Sequence, residues 1–525
     1  MMLFARESAV EFAVNAPYKV EPRSRVFKDM APPVGGMIQF SMIVPPAVQW
    51  TAFLARMDRK GRGAALAAAF LCLVARWRAV EPRYNSESTR RCIDWLWAVV
   101  AMVLAVSLAT ATHADDVPKH QVPWLLGDLS GYRTTLLEKG IDIQLVYVTE
   151  SAYNAVGGTG QLADYTGQVT VGTTFDLERI LGMHDATFEV TYTERAGRNL
   201  SDDANLGTFQ LVQEVWGRGQ TVRLTQMFFE QKYFDKIVSW KAGRTSMGSD
   251  FAVFPCDFQN LTFCGSQPGN VVGGYIFNWP ISQWGSRVKV NLDGFGYYQV
   301  GVYDQNQQYL GYDNKLWPVW YWGSTGVLVP VEVAWEPNFF GKLDGSYKFG
   351  GWYSSGQQPD AIYDKFGNPF AISGQLPAIR AGLYGGYVSF QQQITRTSAE
   401  DPKRGLRLFF NAAFADTTTS STDRQIAGGF WYTGPFAARP DDVIAFAMGT
   451  THQNERITQV ASLENLLGLG PVPVKDSEYV FELDYTFVPK PGLIIRPNLQ
   501  YVYSPGGNYA TKDVFVLGLK TIISF

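Results

Sequence analysis

The chain has 525 residues, 46% of them hydrophobic, 14% aromatic and 18% charged, with a formal charge of −3 and four cysteines. That acidic balance disfavours nucleic-acid binding. His120, His184 and His452 lie far apart and in no recognisable motif, so no metal site or nucleophile–base pair is legible.

Residues 1–89 show no steady periodicity apart from a short apolar run, Ala64–Ala75, and receive no fold. They read as a leader from a start codon placed too far upstream, with a cytoplasmic extension as the alternative. Residues 90–114 carry the three parts of a secretory signal: Arg90 and Arg91, the apolar run Trp95–Leu108, and Thr112-His113-Ala114 before Asp115. The alternative is a membrane anchor, since the run nears the roughly 18-residue limit for a spanning helix. The two-faced strands that follow favour the signal. Its removal, with the leader's 14 Lys+Arg and 8 Asp+Glu, leaves 31 basic and 40 acidic residues, a formal −9. That sign also weighs against a strongly anion-selective pore. Of the cysteines, Cys256 and Cys264 remain, an isolated pair expected to form a disulfide that clamps a loop. Two thiols without a nearby histidine fall short of a four-ligand metal site. Within residues 115–140, the stretch 123–140 reads as a short helix with Ser130 as N-cap and Gly140 as its end. It would rest in or under the mouth of the fold, or pack on its rim.

From Ile141 to Phe525, apolar and polar residues alternate between Gly, Pro, Asn and Asp clusters. Leu145 and Tyr147 alternate with Asp142 and Gln144, Val288 and Val290 with Arg287 and Lys289, and Leu483 and Tyr485 with Glu482 and Asp484. Strands are expected at 141–150, 163–177, 184–195, 222–233, 236–244, 286–293, 296–304, 328–336, 343–353, 381–391, 405–415, 424–433, 442–451, 477–487, 492–503 and 513–525, with a further candidate at 208–216. Alternation alone does not separate a soluble sandwich from a membrane barrel. The export signal, the aromatics at strand ends (Tyr479, Tyr485, Phe487, Tyr501, Tyr503, Phe525) and nearly 400 residues of strand signal without a domain break decide for the membrane. The fold class is all-β, a transmembrane antiparallel barrel of about 16 strands over residues 141–525. At that size the lumen holds an aqueous channel.

Asp293-Gly294-Phe295 reads as a tight periplasmic turn. The long stretches 245–285, 305–327, 354–380 and 452–476 read as outer loops. The longest, 245–285, carries the cysteine pair and is expected to fold inward and narrow the pore. Lumen-facing candidates by alternation are Glu189, Arg195, Arg287, Lys289, Lys348, Arg407, Asn411, Glu482 and Arg496. Each could equally be an interior strut with no solute role.

Several blocks resemble the OprB-type carbohydrate-selective porins. These are W-L-L-G-D-x-x-G-x-R-x-x-L-x-x-x-G-I (Trp124–Ile141), G-R-N-L-S (Gly197–Ser201), F-F-E-Q (Phe228–Gln231), A-G-R then D-F-A (Ala242–Arg244, Asp250–Ala252), and the cysteine-bracketed stretch Phe254–Gly265. The resemblance spans about residues 122–525 and adds Arg198, Glu230 and Arg244 to the candidate pore lining. It implies a Gram-negative outer-membrane channel that admits glucose and similar sugars by facilitated diffusion, without a cofactor. Porins for polyols or organic acids are the alternative within that class. A barrel enzyme would need a constellation the chain does not display, and a siderophore receptor would need a plug domain longer than the stretch between Asp115 and Ile141. Expected partners are permeating sugars, outer-membrane lipid and lipopolysaccharide, and the barrel-assembly machinery through the C-terminal strand ending in Phe525. Oligomeric state is not legible.

Overall fold

The computed structural model describes residues 124–311, 316–319 and 322–525; the leader and the signal lie outside the described residues. The strands, in chain order, are β1 (Ile141–Val156), β2 (Ala163–Asp176), β3 (Ala186–Gly197), β4 (Val222–Tyr233), β5 (Val238–Thr245), β6 (Gln283–Leu292), β7 (Gly296–Gln305) and β8 (Gly326–Trp335). There follow β9 (Asn338–Phe339), β10 (Leu343–Asp364), β11 (Pro377–Gln393), β12 (Gly405–Ala415), β13 (Thr422–Thr433), β14 (Val443–Gln453), β15 (Ser477–Lys490), β16 (Leu493–Tyr503) and β17 (Val514–Ser524). β9 is a two-residue piece in the turn before β10. The other 16 strands each pair antiparallel with their neighbours, and β1 pairs with β17 to close the barrel. Closure leaves no open edge, the condition for a sheet in lipid.

The faces are inverted relative to a soluble protein. Along β15, Glu478, Glu482 and Asp484 are buried while Tyr479 and Leu483 are exposed. On β6 Arg287 is buried and Val288 exposed, and on β17 Lys520 is buried beside the exposed Leu519. Polar side chains point into the lumen and apolar ones out, as a bilayer demands. All 16 expected spans hold a strand.

Three readings are corrected. Residues 208–216 form no strand: Val212 and Val215 are buried from inside the barrel, and Glu214–Trp216 is a single 3-10 turn. Phe209, Leu211 and Val215 share one parity and imitate a strand, although Val212, of the other parity, is buried too. The helix near the N-terminus runs Tyr132–Glu138, and Ser130 does not cap it. Ser130 and Gly131 both have positive φ, and Asp128 instead accepts from the Thr134 amide and hydroxyl, each at 2.9 Å. Finally, much of 354–380 is hairpin, because β10 extends to Asp364 and β11 starts at Pro377. Beyond the bilayer a strand no longer needs a greasy face, so its alternation fades.

The Trp124–Glu138 segment sits on the rim at the closing seam. The Leu125 amide donates to Ser524 O at 2.7 Å, Arg133 lies 4.6 Å over the Trp124 ring, and its guanidinium donates to Phe525 O. The Trp124–Glu138 segment and Phe525 therefore lie at the end with short turns, including 293–295, where Phe295 N donates to Leu292 O at 3.0 Å. That end is the periplasmic one.

Candidate functional site

Two outer loops fold into the lumen, and the barrel wall is built to hold them. The first, 246–282, was expected to do so. At its start Asp250 accepts from Lys241 Nζ at 3.0 Å and the Tyr303 hydroxyl at 2.9 Å, with Arg287 at 3.7 Å. Glu332 of β8 accepts the Ala252 amide at 2.8 Å, and Lys348 donates to Val253 O at 2.8 Å. The loop then crosses to the opposite wall. There Glu482 is fully buried, and its two oxygens accept the Gln259 and Asn260 amides at 2.7 and 2.8 Å. Asn498 donates to Gln259 Oε1 at 2.8 Å, and Asn260 to Gln500 Oε1 at 2.9 Å. Arg496 reaches Thr486 at 2.6 Å, Asp257 at 3.3 Å and Asp484 at 3.8 Å. Charge-assisted bonds to backbone amides are among the stronger hydrogen bonds, so this wall fixes the loop tip.

Apolar contacts reinforce the polar ones. Phe254, Phe258 and Phe263 of the loop pack on inward-facing Phe409, Trp431, Ala427, Ala447, Val480 and Val502. A Cβ on Gly449 of β14 would meet Phe263 at 2.9 Å, so glycine there permits the close approach.

The second inward loop, 198–221, was missed by sequence reasoning. Its Gln213 donates to Glu150 O at 2.9 Å and Val215 N to Glu150 Oε2 at 3.0 Å. Lys520 joins everything. Its ammonium lies 3.2 Å from Glu150 and 3.0 Å from Glu214, and donates to Cys256 O and Phe258 O, both at 3.1 Å. Glu150 and Lys520 are direct partners across the closing seam. Alternation puts each of them in the lumen; that the two would meet depends on barrel closure, which no local pattern encodes.

A cavity of about 580 Å³ lies between the two loops and the wall. Its lining includes Gln168, Arg195, Gln210, Glu214, Arg218, Asn270, Asn278, Trp279 and Lys520. Arg195 donates to Gln168 Oε1 at 2.8 Å and lies 3.8 Å from Glu214. Arg218 of the second loop donates to Gly273 O at 3.0 Å, bridging the loops. Burial, and then the Arg195 charge, bring its pKa down to about 10, which leaves it charged at neutral pH.

The remaining expected residues lie around the wall. Glu230 accepts from Ser239 and from Arg287 at 3.1 Å, Glu189 accepts from Thr191 at 3.1 Å, and Lys289 Nζ sits 3.7 Å over the Tyr297 ring. Arg244 is buried, 4.0 Å over the Tyr309 ring, and donates to Ser282 O. Arg198 is largely exposed at the loop base, pairing with Asp203 at 2.7 Å and Asp164 at 3.4 Å. Asn411 is buried on the inward face of β12. The side chain of Arg407, on the same strand opposite Trp431 of β13, has no hydrogen-bond or salt-bridge partner among the described residues.

Cys256 and Cys264 form the expected disulfide at the loop tip. Closing so short a loop stabilises by roughly 2–3 kcal/mol, while Glu482, Asn498 and Lys520 hold the same tip independently. The double variant Cys256→Ser, Cys264→Ser is therefore expected to keep a heat-modifiable barrel, with single-channel conductance within about twofold of wild type in planar bilayers. A conductance raised severalfold would show the disulfide, and not the wall anchors, to be what places the loop.

Comparison with known proteins agrees with this architecture. Residues 161–525 match the model of the carbohydrate-selective porin, OprB family. Porin B of Pseudomonas aeruginosa is 40% identical over 454 residues, covering 83% of this chain and 99% of that protein. The putative porin QuiX of Acinetobacter baylyi is 32% identical over 445 residues, covering 80% and 97%. Among solved structures, the high-pH structure of Pseudomonas putida OprB aligns with a TM-score of 0.75 at 42% identity, over 78% of this chain and all of that one. A closed 16-stranded barrel with inward loops, matched to such relatives along most of its length, is an outer-membrane channel. The chain belongs to the OprB family of carbohydrate-selective porins.

Proposed function

We propose that this carbohydrate porin of the Gram-negative outer membrane favours glucose-sized neutral sugars, admitted by facilitated diffusion through the gap between the two inward loops. The observation that carries this reading is the neutralisation of charge at the narrowing. Lys520 sits between Glu150 and Glu214, and Arg195 beside Glu214. Ion pairs that cancel leave little net field to attract an ion. The amides of Gln168, Gln210, Asn270 and Asn278 in the cavity lining offer both donors and acceptors, as a polyhydroxylated solute requires. Trp279, in the same lining, provides an apolar ring for the C–H face of a pyranose. Such a site orders and passes solutes; its residues are engaged with one another and none is paired as nucleophile and base, so the reading is a channel rather than an enzyme.

Liposome swelling tests it. Glucose should enter faster than disaccharides and faster than size-matched organic acids. Equal entry of sugars and acids would favour the second reading, a general porin for small polar solutes.

A further inference from the structure

Beneath the disulfide loop, toward the periplasmic turns, lies a second cavity of about 420 Å³. Gln391, Lys403, Arg407, Trp431, Asp484 and Arg496 are among its lining residues. Its charges are arranged differently from those at the narrowing. Arg496 is offset by Asp484 and Asp257. The Arg407 side chain has no hydrogen-bond or salt-bridge partner among the described residues, and Asp344 acts on it only from beyond salt-bridge distance. Among the described residues the Lys403 ammonium, in the turn leading into β12, has no salt-bridge partner, and the neighbouring Asp401 pairs with Arg404 at 3.4 Å. Arg407 and Trp431 are direct cross-strand partners on β12 and β13, both pointing inward. The indole is held by Phe409 at 4.5 Å and Phe254 at 5.6 Å between ring centroids, so it cannot turn to cover the guanidinium.

We propose that this cavity is a second station on the permeation path, one that takes the carboxylate of a polyhydroxy acid such as an aldonate. This rests on the sugar-porin reading and extends its solute class. A guanidinium presents a planar fork that matches a carboxylate in a bidentate way, which an ammonium does not. The free Arg407 fork receives the carboxylate, and the Lys403 charge adds to the local field. Gln391 and the rim of Trp431 meet the hydroxylated carbon chain. Solutes that pass the neutral narrowing slowly because they are charged are then drawn out of it by the cationic exit.

The test uses the whole purified protein in planar bilayers, with D-gluconate and D-glucose as probes added at the periplasmic side and block of the ion current as readout. R407Q is expected to weaken gluconate block about tenfold while glucose block changes less than twofold. R407K, which keeps the charge but loses the fork, should weaken gluconate block at least threefold. Unchanged gluconate block in R407Q overturns the station. A loss shared equally by glucose, or an R407K channel blocked as readily as wild type, overturns carboxylate recognition by the fork. A wild-type channel that glucose fails to block would count against the neutral-sugar reading and leaves the gluconate comparison to stand or fall separately.

Discussion

Lys520→Met is expected to open this channel. The ammonium is almost wholly buried and makes four contacts: Glu150 on β1, Glu214 on the second inward loop, and the carbonyl oxygens of Cys256 and Phe258 on the first. Its loss would leave two buried carboxylates facing each other, with Arg195 3.8 Å from Glu214 as the nearest compensation. Breaking a buried ion pair by removing one partner typically costs about 3–5 kcal/mol. The barrel ladder is untouched by the change, whereas the loops have water above them into which they can retreat. The expected outcome is a barrel that still migrates as folded, with single-channel conductance raised severalfold and disaccharides entering nearly as fast as glucose. Restoring neutrality in the triple variant with Glu150→Gln and Glu214→Gln should recover part of the wild-type conductance. An unchanged conductance in Lys520→Met would mean that the loops hold without this knot.

What the sequence discloses here follows from range. The two-residue period belongs to each strand alone, so every barrel strand from Ile141 to Ser524 is legible, and so is the lumen orientation of Arg287, Glu482, Arg496 and Lys520. The contacts of those side chains are not. Glu482 meets the Gln259 and Asn260 amides more than 200 positions away in the chain, and nothing near residue 482 signals it. The inward fold of 246–282 could be expected from its length and its cysteines. The shorter loop 198–221 has neither mark, and its apolar Phe209, Leu211 and Val215 imitate a strand. Alternation also misleads where a loop presses on the wall. Val480, Phe409 and Trp431 are apolar yet face inward, because they meet the loop's phenylalanines instead of water. Such apolar residues in polar register are the trace an inward loop leaves on a barrel, and they offered the one local clue to where it would dock.

The lipid face sets the opposite demand, and Leu483→Arg should show it. Leu483 lies at the middle of β15, exposed on the outside, opposite Phe446 of β14 and Leu499 of β16. Its neighbour Glu482 is fully buried on the lumen side, so two adjacent positions obey contrary rules. An arginine at a lipid-facing midplane position costs roughly 2–4 kcal/mol. A one-residue register slip would relieve it only by turning every other side chain of the strand to the wrong face. The variant is therefore expected to show a reduced heat-modifiable fraction in the outer membrane and a lower urea midpoint after refolding into lipid, whereas Leu483→Phe should assemble normally. Glu482→Ala would do the reverse: it keeps the ladder and the lipid face, but strands the Gln259 and Asn260 amides and loosens the loop. Its signature would be altered conductance in a barrel of near-normal stability. If Leu483→Arg assembled as well as wild type, this face would not meet hydrocarbon, and if Glu482→Ala failed to assemble, the loop would be a prerequisite of the barrel and not a passenger within it.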